Sequence, residues 1–160
     1  MINVEAIKEM FIKNGVTFQE TSLLKKLEEE RFPNEVNSYL RLMKTPIRLH
    51  VSSYGTALTH LMSQEEIIDE YYAEENQSIY NNNCLIIGYG PNGDYLCISL
   101  KTGMITYVFH DMLWEQPDEA FDEISITMDI RLDQLLEMAF NSTDYPCDGF
   151  SAEEYMNRNT

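Results

Sequence analysis

A chain of 160 residues with 44% apolar side chains, 10 tyrosines and 7 phenylalanines is long enough to bury a core of its own and too apolar to stay disordered. Its formal net charge of −16 sets up a field that repels phosphate, so nucleic acid and anionic membrane are poor partners. No apolar run reaches the length that crosses a bilayer, and Glu5, Lys8 and Glu9 interrupt any apolar stretch of a signal-peptide kind, so a cytoplasmic location is expected.

In chain order, Val4, Ile7 and Phe11 have helical spacing, and Asn14-Gly15 stops them. Residues 22–31 read as a second helix with Leu23, Leu24 and Leu27 inward and Glu28, Glu29 and Glu30 in solvent. Phe32-Pro33-Asn34 breaks it, and Val36, Tyr39, Leu40 and Met43 form the apolar stripe of a third helix that Thr45-Pro46 ends. Ile47 to Val51 reads as a short strand, and residues 52–62 have no decided pattern. Ser63-Gln64-Glu65-Glu66 has the form of a capping box ahead of a helix with Ile67, Ile68, Tyr71 and Tyr72 on its apolar side.

Three strands of a meander follow. Cys84 to Ile87 is apolar, Gly90-Pro91-Asn92-Gly93-Asp94 supplies turn chemistry, and Tyr95 to Leu100 alternates. Lys101-Thr102-Gly103 turns the chain into Ile105, Tyr107 and Phe109, again with period two. An acidic loop is expected over residues 111–123, then a short edge strand at Ser125–Thr127. A helix with Leu132, Leu135, Leu136 and Ala139 inward is expected next, with Asp129 as its N-cap. From Asn141 the chain reads as a polar tail, with a last short helix at Ser151–Glu154. The order gives an α+β class, one domain with helices packed on an antiparallel sheet.

The charge is unevenly spread. Residues 1–48 hold 7 acids and 8 bases, whereas residues 49–160 hold 20 acids against only Lys101, Arg131 and Arg158. Such a field favours encounter with a basic protein; its plainer use is solubility. Two acidic runs stand out. One holds Asp69, Glu70, Glu74 and Glu75; the other holds Asp111, Glu115, Asp118, Glu119, Asp122 and Glu123 around Trp114. The second reads either as a solvated loop with Trp114 turned into the core, or as a binding edge with an aromatic anchor among charges.

Motifs for chemistry are weak. Gly88-Tyr89-Gly90-Pro91-Asn92-Gly93 matches GxGxxG, but a strand follows it where a dinucleotide site needs a helix, so it is read as a hairpin turn. His50, His60 and His110 lack ligand spacing, and His110-Asp111 has no nucleophile in a recognisable setting. The acidic run lacks the ligand pattern of a calcium loop. Cys84, Cys97 and Cys147 are odd in number and widely spaced, as structural thiols are. No enzyme activity, metal or cofactor is expected; paired carboxylates in a cleft are the enzymatic rival.

The segments Leu27-Glu28-Glu29-Glu30-Arg31-Phe32-Pro33-Asn34 through Leu40, Leu85 through Ile98, Lys101-Thr102-Gly103-Met104-Ile105 with Tyr107–His110, and Leu132–Leu136 together resemble the SUKH superfamily, over about residues 22–140. That group contains the fungal Smi/Knr cell-wall regulators and many bacterial immunity proteins. Met43-Lys44-Thr45-Pro46 departs from the Asn-Gly or Gly-Gly often found after the family's second helix. The resemblance implies an α+β sheet with packed helices and, for bacterial members, neutralisation of a toxin, often a nuclease, by direct binding. The expected function is thus an immunity protein, a monomer or weak dimer, whose acidic surface meets a basic toxin domain. The alternative is a regulatory binding module with a house-keeping partner.

Overall fold

The computed structural model describes residues 1–50, 58–115, 120–142 and 144–160; Val51, Asp118 and Glu119 of the expectations above lie outside them. Helix α1 (Val4–Lys13) starts where the Asn3 side chain accepts the Ala6 amide, and it buries Ile7 and Phe11. Helix α2 is shorter than expected, Lys25–Glu29. Tertiary hydrogen bonds hold the preceding residues extended: the Leu24 amide donates to Gln64 Oε1 at 2.8 Å, and Gln64 Nε2 donates to the Ser22 carbonyl at 3.3 Å. Leu24 is consequently exposed, while Leu27 is fully buried. Helix α3 (Asn34–Leu40) follows, and Val36, Tyr39, Leu40 and Met43 are all buried as the stripe requires.

Strands β1 (Ile47–His50) and β2 (Leu58–Leu61) lead to α4 (Gln64–Tyr71), which carries the expected capping box between Ser63 and Glu66. A 3-10 turn (Glu74–Asn76) and α5 (Gln77–Asn81) precede β3 (Cys84–Tyr89), β4 (Tyr95–Ser99) and β5 (Met104–Val108). Then come α6 (His110–Glu115), a 3-10 turn (Phe121–Glu123), β6 (Ser125–Arg131), α7 (Leu132–Asn141) and α8 (Gly149–Arg158). The six strands form one antiparallel sheet in chain order, β1 to β6, so the molecule is α+β as expected. In register, Leu85 faces Ile98 and Ile98 faces Ile105, one apolar row across the central strands. Helices and sheet share a single apolar core that includes Phe11, Tyr39, Leu85, Leu96, Tyr107 and Leu136.

Four expectations are corrected. The expected acidic loop opens as helix α6. The edge strand runs on to Arg131, because Met128 and Ile130 continue its inward alternation and Arg131 pairs with Met104. Asp129 therefore lies exposed on a strand; α7 begins at Leu132, with Gln134 Oε1 accepting the Arg131 amide at 2.8 Å. The chain beyond Asn141 is more than a polar tail. Tyr145, Cys147 and Ala152 are core residues, the Tyr107 hydroxyl donates to the Pro146 carbonyl at 2.8 Å, and α8 packs on β5 and β6. Cys84, Cys97 and Cys147 are free and buried, and burial pushes the Cys147 thiol up to about 11.

Candidate functional site

The site is built outward from the β3–β4 turn. Gly93 has φ +93°, and a side chain on Gly90 would put a Cβ 2.2 Å from the Cys147 carbonyl oxygen. The turn can only be this tight, and α8 only this close, with glycine there. Behind it lies Asp94, 2% exposed. Its Oδ1 accepts from His110 Nδ1 at 2.8 Å and from the His110 amide at 3.3 Å; its Oδ2 accepts from Asn92 Nδ2 and from the Gly149 amide, each at 3.0 Å. One carboxylate thus ties the hairpin turn to the first residue of α6 and the first residue of α8. The other ring nitrogen of His110 reaches Asp111 Oδ1 at 2.8 Å. Trp114, one turn further along α6, sets its ring edge-on to His110 at 5.5 Å and is 56% exposed. The indole is an outward-facing side chain, which removes the reading of it as a core residue.

The 3-10 turn that carries Glu74 and Glu75 packs against α6. It is held there by Glu70, which is half-buried: Asn76 Nδ2 donates to Glu70 Oε2 at 2.7 Å, and the Tyr95 hydroxyl donates to the same oxygen at 3.1 Å. Burial, the Glu70 charge and that of Glu75 all push the Tyr95 hydroxyl pKa up. Glu70, expected to meet a partner, is therefore a support that fixes the turn on the sheet. Asp69, next to it on α4, is exposed. The Phe109 amide donates to the Ile124 carbonyl at 2.9 Å, which sets the 3-10 turn with exposed Asp122 and Glu123 beside the start of α6. Glu74, Glu75, Asp111, Trp114 and Glu115, some forty residues apart in the chain, thus come to one end of the sheet, all of them exposed.

The bases of residues 49–160 lie elsewhere. Lys101 sits beyond Ser99, at the opposite end of β4 from this turn. Arg131 pairs with Met104 at the far end of β5, with its guanidinium 3.2 Å from Asp133. Arg158 closes the far end of α8, paired with Glu154.

Three residues at this end escaped the sequence reading. Tyr89 stacks on His60 at 4.8 Å and 13° and is 37% exposed. Phe150, in the first turn of α8, is 66% exposed and edge-on to Phe109 at 5.2 Å. Asp94 looked like one more turn residue. The hairpin reading of Gly88–Gly93 is what the structure shows. A separate, half-open cleft of about 290 Å³ between α1 and α7 is lined by Glu9, Lys13, Asp133, Glu137 and Phe140, and none of the expected site residues lines it. No family model, no curated protein and no solved structure matches this chain.

Proposed function

We propose that this chain is a protein-binding module that neutralises a basic toxin domain by docking it on the acidic end of the sheet. The observation that supports this most is that exposed Glu74, Glu75, Asp111 and Glu115 lie at the same end of the sheet as exposed Trp114, while Lys101, Arg131 and Arg158, the bases of residues 49–160, lie away from it. A negative field of this kind accelerates the approach of a positively charged partner and orients it. The aromatic side chain supplies buried area once contact is made. The toxin as partner follows from the SUKH resemblance, and a nuclease suits it because its substrate groove must itself be basic.

The test is co-expression with the product of the neighbouring gene and with a panel of basic nuclease toxin domains. The unaltered protein is expected to restore growth, and the Glu74→Lys/Glu75→Lys/Glu115→Lys variant to lose that protection while remaining folded. Loss of growth on deleting the chain with no toxin present would instead favour the house-keeping regulator. Protection that survives the triple reversal would remove the acidic surface from the mechanism.

A further inference from the structure

Exposed large apolar side chains on a soluble protein are usually scattered singly. Here Tyr89, Trp114 and Phe150 lie at the same end of the sheet, on three segments that Asp94 and its neighbours pin together. Tyr89 precedes the turn, Trp114 belongs to α6 and Phe150 to α8. Each ring is backed by another ring: His60 behind Tyr89, His110 behind Trp114, Phe109 behind Phe150. The backing rings are themselves fixed. His60 Nε2 is 2.9 Å from Glu66 Oε1, and His110 is held at both ring nitrogens by Asp94 and Asp111. Phe109 fills the space at Gly149, where any Cβ would come within 2.4 Å of its ring. Aromatic rings held in this way lose little conformational freedom when covered, which is the property of an interface anchor.

We propose that Tyr89, Trp114 and Phe150 are the anchors of one docking face, and that its occupant is a basic protein segment that lays arginine side chains over the rings. The proposal rests on the acidic-surface reading above and adds to it which residues anchor the partner and which cation they select. A guanidinium is flat, stacks on an aromatic face and can still fork onto a carboxylate at its edge; an ammonium has no flat face to stack. Asp111 lies one turn before Trp114 on α6 and Glu115 directly after it, both exposed, so carboxylates stand near the ring. The other classes of occupant conflict with the charge. A second copy of this chain would bring a molecule of net charge −16 against an acidic face, and nucleic acid or anionic lipid would bring phosphate.

Trp114 is the only tryptophan, so its emission reports this face directly. The full chain is titrated with an arginine-rich peptide, a lysine-rich peptide of equal length and a neutral glycine–serine peptide. The arginine peptide is expected to change Trp114 emission and to bind about 5-fold or more tighter than the lysine peptide, with no response to the neutral one. Phe150→Ala and Tyr89→Ala, both at exposed rings, are each expected to weaken the arginine peptide about 5- to 10-fold. In the unaltered chain, backbone amide shifts on adding that peptide are expected at Tyr89, Gly93, Trp114 and Phe150. If Glu74→Lys/Glu75→Lys weakens binding but both ring truncations leave it unchanged, the anchors are wrong and the acidic reading stands. If the charge reversal leaves binding unchanged, the acidic reading itself falls. Equal affinity for the two cationic peptides, or amide shifts confined to the α1–α7 cleft, overturns the arginine assignment.

Discussion

The Asp94 carboxylate accepts four hydrogen bonds while almost wholly removed from water, two of them from His110 and two from Asn92 and Gly149. Its acceptor-only character is what the site requires. An asparagine has one oxygen and one NH2, so either the His110 side or the Gly149 side would face a donor with a donor. Asp94→Asn is expected to cost about 2 kcal/mol of unfolding free energy in urea and to loosen α8. Replacement without loss would mean that a different contact holds α8 to the turn. Glu66 carries a pH dependence. Burial pushes its pKa up, but bonds from the Ser63 amide at 2.8 Å and from His60 outweigh burial and leave it below its ordinary value. A carboxylate depressed in the folded state stabilises above its unfolded pKa, about 4.3, and that stabilisation is lost as pH falls through the lower folded value. Glu66→Gln is thus expected to cost about 0.5 kcal/mol near pH 7, a small figure because the carboxylate is partly in solvent. The difference from the unaltered chain should shrink in urea titrations repeated below about pH 4; a difference that grows on acidification would reverse the assignment.

At the scale of elements, the glycines of the hairpin separate two causes. Gly90 has a backbone oxygen where its Cβ would be, whereas Gly93 has only a positive φ and His110 ring atoms no nearer than 3.4 Å. Gly90→Ala is expected to destabilise by about 3 kcal/mol or more, and Gly93→Ala by about 1, measured as urea midpoints; equal losses would mean that the α8 segment yields. Strands β4 and β5 and helix α3 were legible from the sequence because Tyr95–Leu100, Ile105–Phe109 and Val36–Met43 carry complete periods, whereas β2 (Leu58–Leu61) falls in residues 52–62, which show no decided pattern. The start of α7 was misread because Asp129 offers a plausible cap, although Met128 and Ile130 already continue the strand's alternation to Arg131. Helix α8 was read as a fragment of a tail for a different reason. Its buried contribution is small, mainly Gly149 and Ala152, and its position depends on Asp94 and on the close approach of Gly90 to Cys147. Contacts between residues more than fifty positions apart leave no period to read. The same holds for the candidate site. Its acids and Trp114 could be picked out by charge and residue type, whereas Tyr89 and Phe150 join them only through the fold, and half-buried Glu70 is engaged by Asn76 and Tyr95.

For the whole molecule, binding depends on where the net charge of −16 is carried rather than on its size. Had the excess acid served solubility alone, the few bases of residues 49–160 would need no particular distribution. Lys101 and Arg131 occupy the sheet end away from Trp114, and Arg158 the far end of α8. The most direct measurement is the affinity for a basic nuclease toxin domain that the unaltered chain neutralises in co-expression, taken at about 50 and about 300 mM salt, for the unaltered protein and for Glu74→Lys/Glu75→Lys/Glu115→Lys. Docking on the acidic end predicts an affinity at least about 10-fold weaker in the variant, together with a shallower salt dependence. Equal affinity and an equal salt slope in the two proteins would contradict it.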